Sequence, residues 1–102
     1  MNDKEFTNTT EAHSLFALGR IVVTRGALSL LGQHGVLPMQ LVSRHVRGDW
    51  GYLNPEDVIA NNEALAGNDR ILSNYLIDGD DRVWVITEWG RSTTTLLLPS
   101  EY

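Results

Sequence analysis

The stretch RHVRGDWGYL at residues 44–53 holds the densest group of chemically versatile side chains in the sequence. Arg44 and Arg47 are three residues apart, so a helix would place them on one face, where two guanidinium groups could hold a phosphate or a carboxylate. His45 would point towards the apolar side of the same helix. It is a candidate for acid–base chemistry, with a buried and hydrogen-bonded position as the alternative.

The GDWG sequence that follows has a structural and a functional interpretation. Gly48 can end a helix, and Gly51 can adopt a backbone angle that other residues resist. Asp49 can accept hydrogen bonds from turn amides, and Trp50 can fill a gap between helices and a sheet. A structural role alone would account for these four residues. In the alternative, Asp49 and Trp50 join the neighbouring arginines in a binding site.

A second polar group lies towards the C-terminus. Arg70, Glu88, Arg91 and Thr94 fall on or beside predicted strands, where alternate side chains share one side of a sheet. Threonine also suits strands through its β-branching alone, and Glu88 could pair with an arginine. We expect a groove between the end of the second helix and the sheet. Its candidate binding residues are Arg44, His45, Arg47, Asp49, Trp50, Arg70, Glu88 and Arg91.

The elements that must position these side chains begin after a polar segment. Residues 1–13 have little to bury and are predicted to be a mobile tail, and residues 14–102 are expected to form a single α+β domain. The segment from Leu15 to Val23 is β-branched and apolar, which indicates extended structure. Thr24 then has the side chain of an N-cap for a short first helix.

Two further helices are predicted. Pro38 suits the first turn of the second helix, because the N–H that proline lacks has no partner there. Asn54 and Pro55 form the corresponding start of the third helix. The stripe that the third helix is expected to bury consists of Val58, Ile59, Asn62 and Leu65.

The period of the apolar residues changes after Asp69 from about 3.6 to about 2, which indicates strands. RILSNYLI (70–77) and RVWVITEW (82–89) flank a turn of Asp and Gly residues that favours a hairpin. The second of these strands is apolar on both faces and is therefore predicted to be central. A third strand, STTTLLLP, follows the turn at Gly90. The sequence predicts an α+β fold with two to three short helices followed by a three-stranded antiparallel β-meander, and the early extended segment is a candidate extra N-terminal strand.

Five stretches of the sequence share one resemblance: LGRIVVTRGAL (18–28), RHVRGDWG (44–51), RILSNY (70–75), WVITE (84–88) and RSTTTLLLPSEY (91–102). These stretches resemble a family of short proteins carried by bacterial plasmids and integrative elements. They span nearly all of the chain after the tail. The resemblance implies a mobile-element setting and no particular reaction.

The composition excludes several kinds of site. The chain has no cysteine and therefore no disulfide, thiolate metal site or cysteine nucleophile, which fits a reducing compartment such as the cytoplasm. The three histidines show no metal-ligand spacing. No apolar run approaches the roughly 18 residues that a membrane span needs. We predict no cofactor, no metal and no membrane association.

Charge bears on the choice of partner. The formal net charge of −5 at pH 7 disfavours a nucleic-acid partner without excluding one. The acids are concentrated late in the sequence, since nine of them face three arginines between residue 53 and residue 102. This half of the chain is suited to a basic protein partner.

Two functions from different classes follow. The first is a non-catalytic accessory protein of bacterial mobile elements that binds a protein partner through Trp and Arg anchors, with anti-defence action as one version. The alternative is a metal-independent endoribonuclease, because helices followed by an antiparallel meander resemble the barnase-like and RelE-like folds. His45 or Glu88 would then act as base or acid. Arg70 and Arg91 would stabilise the phosphorane, and Thr94 would be an orienting donor.

Overall fold

A computed structural model describes residues 14–102, and the predicted tail at residues 1–13 lies outside this range. In chain order the elements are β1 (Arg20–Val23), α1 (Arg25–Gln33), α2 (Pro38–Val46), α3 (Pro55–Gly67), β2 (Ile71–Asp78), β3 (Asp81–Thr87) and β4 (Thr93–Leu97), with short 3-10 turns at Trp89–Arg91 and Pro99–Glu101. Helices that precede an antiparallel meander confirm the predicted α+β fold.

The helices begin and end at residues whose side chains or backbone angles suit those positions. Thr24 Oγ1 and Asn54 Oδ1 each accept a hydrogen bond from a backbone amide in the first turn of α1 and α3, at 3.1 and 2.8 Å. Pro38 and Pro55 are the first residues of α2 and α3. Asn68 ends α3 with a left-handed φ of 65°, which asparagine tolerates better than most residues. These boundaries depend on local chemistry, and the helix starts at Thr24, Pro38 and Asn54 were predicted from sequence.

Within residues 14–102 the sheet has four strands in the order β1-β4-β3-β2. The last three strands form the predicted antiparallel meander, and a two-residue turn of Gly79 and Asp80 joins β2 to β3. β1 pairs in parallel with β4, so the early extended segment supplies the extra strand from Arg20 onwards. As predicted, β3 is an interior strand.

The two faces of the sheet have different neighbours, because side chains alternate along each strand. The face that we call the covered face carries Ile71, Ser73, Tyr75, Val83, Val85, Thr87, Thr94 and Leu96, all of them buried. The side chains by which α1 and α2 pack on it are Ala27, Leu31, Leu41 and Val42. The opposite face, here called the open face, carries Leu72, Asn74, Leu76, Arg82 and Trp84 along β2 and the start of β3. Ile86 and Leu97, on the same face, are buried.

Helix α3 packs beside β2, and the side that it buries differs from the predicted stripe. Asn61 and Ala64 are buried, whereas Ile59 is 56% exposed and Asn62 is also exposed. The Asn61 side chain donates to the Leu72 carbonyl at 2.7 Å and accepts from the Leu72 amide at 3.0 Å. This pair of bonds satisfies the outer edge of β2. The prediction was wrong about Ile59 and Asn62 because hydropathy cannot anticipate an amide that pairs with a strand edge.

The GDWG segment lies against the same edge of β2. The Asn74 amide donates to the Trp50 carbonyl at 2.9 Å, and the Tyr52 amide donates to the Asn74 carbonyl at 2.7 Å. Gly51, between them, has a φ of 76°. A Cβ at this position would lie 2.2 Å from the Asn74 carbonyl oxygen. Both the backbone angle and the close approach to β2 therefore require glycine.

Replacing Gly51 with alanine should lower the free energy of unfolding by about 2 kcal/mol, through the left-handed backbone angle and the clash with β2. Gly90→Ala is the matched control, because Gly90 has a similar φ of 81° but open space where a Cβ would lie. We expect about 1 kcal/mol there. Urea titration followed by tryptophan fluorescence measures both. Equal losses of stability in the two variants would mean that the clash with β2 adds nothing to the cost of the left-handed backbone angle.

Candidate functional site

His45 lies at the centre of a buried chain of hydrogen bonds that links α2 to the covered face. The residue is 0% exposed, and its Nδ1 and Nε2 atoms lie 2.6 Å from Ser73 Oγ and 2.9 Å from Thr87 Oγ1. The Thr87 hydroxyl lies 2.7 Å from that of Thr94, which donates to the Leu18 carbonyl at 2.7 Å. The chain therefore runs from β2 through the imidazole to β3, β4 and the segment before β1.

The direction of each bond in this chain follows from the number of protons available. Each hydroxyl has one hydrogen to donate. Thr94 uses its hydrogen on the Leu18 carbonyl, so Thr87 must donate to Thr94 and accept from His45 Nε2. In a neutral imidazole Nδ1 is then an acceptor, which receives the Ser73 hydroxyl proton. The polar atoms of this chain are satisfied by a neutral His45 with its proton on Nε2.

The surroundings of His45 also favour the neutral form. The rings of Phe16 and Trp50 stand edge-on to the imidazole, with centroids 5.2 and 6.0 Å away. Burial, together with the positive charge of Arg91, lowers the pKa of His45 to about 4. Trp50 is itself only 7% exposed. His45 and Trp50, two residues of the predicted groove, therefore lie together, but in the interior of the protein.

Arg44 and Asp49 form an ion pair at the end of α2. Arg44 Nε lies 2.7 Å from Asp49 Oδ2, and its guanidinium stacks over the Tyr75 ring at 4.4 Å. The Tyr75 hydroxyl donates to the Asp49 carbonyl at 2.6 Å. The bond from Arg44 holds the pKa of Asp49 below its usual value, and burial raises the pKa of Tyr75 to about 12. The pair therefore stays charged and mutually neutralised at neutral pH.

Arg47 and Arg91 bond to carbonyls near the C-terminal ends of helices. Arg47 Nε donates to the Ser43 carbonyl in the last turn of α2, at 3.0 Å. Arg91 donates to the Ala64 carbonyl of α3 at 2.7 Å and also to the Asp69 carbonyl just beyond that helix. Carbonyls in these last turns lack partners within the helix and favour a cation. Both arginines thus have a structural use.

Arg70 and Glu88 lie apart from the buried histidine. Arg70 donates to the Tyr102 hydroxyl, and the Tyr102 ring contacts Trp84 on the open face with centroids 5.6 Å apart. Glu88 is exposed where β3 ends, and among residues 14–102 it forms no ion pair. The structure therefore brings His45, Trp50 and Arg91 together and joins Arg44 to Asp49, but leaves Arg70 and Glu88 elsewhere.

The open face carries a cavity of about 450 Å³ that none of the predicted site residues line. Its floor is Leu72 and Asn74 of β2. Tyr52 and Leu53 lie at one end, before α3. The walls on either side of β2 are Asn54 and Asp57 at the start of α3, and Arg82 and Trp84 of β3. A shallower depression beside it contains Arg44, Asp49, Gly51, Tyr52, Tyr75 and Leu76.

No protein-family model, curated protein or solved structure matches this chain. Among residues 14–102 no group of three or more His, Asp or Glu side chains could hold a metal ion. In the same range no helix has the length and apolarity to cross a bilayer. The function is therefore inferred from the geometry of the molecule itself.

One feature of the sequence, the position of Asn74 in its strand, could have indicated the cavity. Asn74 lies at the centre of the strand β2, where its neighbours at positions two away, Leu72 and Leu76, are apolar. A polar residue in the middle of an apolar row is unusual and calls for a partner. Its register opposite Trp84 was open to prediction once the hairpin was assigned. The walls contributed by α3 were not.

Proposed function

We propose that this chain is a non-catalytic binding protein that acts through its open face on a basic protein partner, in the setting of a bacterial mobile element that the sequence resemblance implies. Anti-defence action is one version of this role. The observation that carries the proposal is a row of exposed and half-buried side chains on this face, formed by Tyr52, Leu76, Arg82 and Trp84. Tyr52 is 66% exposed. Leu76, 46% exposed, pairs with Arg82, and Trp84 lies two residues along β3.

This composition is typical of protein-binding surfaces. Tyrosine, tryptophan and arginine are the residues that most often dominate the binding energy of an interface. The core side chains of α1 and α2 pack on the covered face and do not cover this row. The row is therefore available to a partner without any rearrangement of the core.

Charge complementarity favours a basic partner. Exposed carboxylates lie beside the open face at the start of α3, in Glu56 and Asp57, and another, Asp80, lies in the turn between β2 and β3. The net charge of the chain is −5. Such a surface attracts a positively charged protein over a distance and repels phosphate backbones.

The positions of the candidate catalytic residues give the endoribonuclease alternative little support. His45 is 0% exposed with both ring nitrogens bonded, so it has no path to a 2′-hydroxyl. Thr94 is also 0% exposed and bonded, and Arg91 is held by carbonyls of the chain. General acid–base catalysis needs a group within hydrogen-bonding reach of the substrate.

The test is capture of a partner from bacterial lysate with a matched pair of variants. Leu76→Asp places a charge in the open face, and we expect it to weaken partner binding about tenfold or more. Ile59→Asp makes the same change at an exposed isoleucine of α3, 56% exposed, and should leave binding unchanged. The captured protein should be basic and should elute at raised salt.

The proteins retained by the wild type and by the two variants decide whether the proposal stands. A protein that the wild type and Ile59→Asp retain and that Leu76→Asp loses supports the open face as its binding surface. Equal retention by all three chains, or the absence of any reproducible partner, contradicts the proposal. Circular dichroism melting of each variant separates a lost surface from a lost fold.

A further inference from the structure

Asn74 lines the cavity on the open face, and one of its side-chain atoms is a buried hydrogen-bond acceptor without a partner among residues 14–102. Asn74 is 9% exposed, and its Nδ2 donates to the Tyr52 carbonyl at 3.0 Å. Its Oδ1 atom has no hydrogen-bond partner within the described part of the chain. Buried polar atoms are nearly always paired. A leucine at position 74, like Leu72 and Leu76 in the same row, would close the floor of the cavity without leaving an unpaired acceptor. The asparagine therefore indicates that a ligand supplies the missing hydrogen-bond donor.

The walls of the cavity carry one charge of each sign. Asp57 lies on the side of α3 and Arg82 on the side of β3, with β2 between them. Within residues 14–102 neither takes part in an ion pair. Arg82 instead holds its guanidinium over the Tyr52 ring, 5.7 Å from the centroid. A ligand that uses both walls needs a cationic donor at one end and an anionic acceptor at the other.

The remaining lining is apolar and aromatic. Leu53, Leu72 and Trp84 contribute to it, and Trp84 is half-buried. The volume of about 450 Å³ lies within the range of sites for small organic ligands. Sites of this kind combine a few fixed polar groups with an apolar lining that holds the body of the ligand.

We propose that the cavity binds a free α-amino acid with an aromatic or large apolar side chain. Its ammonium group donates to Asn74 Oδ1 and to the Asp57 carboxylate. Its carboxylate bonds to the Arg82 guanidinium, and its side chain packs on Trp84 between the leucines. This site does not depend on the protein partner proposed above, although the two share the open face.

Other small ligands match the cavity less well. A nucleotide would bring two or more negative charges next to Asp57, with Arg82 as the one cation that residues 14–102 contribute to the lining. An amine without a carboxylate would leave Arg82 unpaired and next to a like charge. A zwitterion with zero net charge can pair its ammonium group with Asp57 and Asn74 Oδ1 and its carboxylate with Arg82.

Titration of the pure chain with tryptophan, followed by NMR, tests the site. We expect the resonances of the Asn74 side-chain amide and the Trp84 indole to shift, with the indole assigned by Trp84→Phe. Tryptamine lacks the carboxylate and indole-3-propionate lacks the ammonium group, so each should bind about tenfold more weakly or worse. Leucine and phenylalanine should bind, and glycine should not.

Two matched pairs of variants locate the charges. Asp57→Asn and Arg82→Gln should each weaken tryptophan binding about tenfold or more. Glu56→Gln, in the same turn of α3 but outside the cavity lining, and Arg20→Gln on β1 should bind as the wild type does. No shift at millimolar tryptophan overturns the proposal, as does equal binding of tryptamine or unchanged binding by the Asp57 and Arg82 variants. The titration uses the pure chain without a partner protein. A negative result therefore counts against the amino-acid site alone and not against the protein partner tested by capture.

Discussion

Replacing His45 with alanine should lower the free energy of unfolding by about 4 kcal/mol. The imidazole is fully buried beneath Phe16 and Trp50, so its removal leaves a cavity that the rigid sheet cannot fill. The Ser73 hydroxyl also loses the Nδ1 atom to which it donates. Both losses occur where three strands and α2 are joined, and urea denaturation followed by tryptophan fluorescence measures their sum.

His34→Ala is the matched control for this experiment. The His34 side chain is 27% exposed and lies 3.9 and 3.6 Å from the carboxylates of Asp78 and Asp81. Long, partly exposed polar contacts of this kind contribute little, so the same substitution should cost less than about 1 kcal/mol here. A similar loss in both variants would mean that the buried chain of hydrogen bonds does not stabilise the fold.

Acidification should destabilise the wild-type chain by about 3 kcal/mol through His45 alone. Burial, and secondarily Arg91, lowers the pKa of His45 to about 4 from the ordinary value of 6.5. Between these two values the unfolded chain binds a proton that the native chain excludes. The contribution of the neutral imidazole is therefore complete above pH 6.5 and is lost as the pH falls towards 4.

The free energy of unfolding of the wild type and of His45→Gln, measured from neutral pH down to pH 4, isolates this contribution. The wild type should lose more stability than the variant, because glutamine does not titrate. An NMR titration of the imidazole in the wild type gives the native pKa directly. A value close to 6.5, or parallel pH profiles in the two chains, would contradict the assignment of a neutral, inaccessible His45.

The chemically versatile side chains of the RHVRGDWG stretch are engaged within the chain: His45 and Trp50 in the interior, and Arg44 with Asp49 at the end of α2. The sequence left open whether His45 would be a core residue or an acid–base group. Burial of its ring nitrogens, which depends on strands more than 25 residues away along the chain, decides between them.

The candidate cavity illustrates the opposite case, in which tertiary structure creates a site from unremarkable residues. Asp57, in the first turn of α3, and Arg82, near the start of β3, were not site candidates. They lie on two walls of one cavity because α3 docks beside β2 and β3 pairs with its other edge. No short-range pattern encodes that docking, since it depends on the side-chain amide of Asn61 reaching the strand.

The sequence by itself determined the local structure of this protein: the capped starts of α1 and α3 at Thr24 and Asn54, the hairpin at Gly79 and the meander. Each depends on interactions between residues a few positions apart, such as a cap bond or a backbone angle that glycine permits. Only the tertiary structure decided which face of α3 is buried, that His45 is enclosed, and that Asp57 and Arg82 lie on two walls of one cavity. Those outcomes depend on the packing of elements distant in sequence, where hydrogen bonds to a strand edge can outweigh hydropathy.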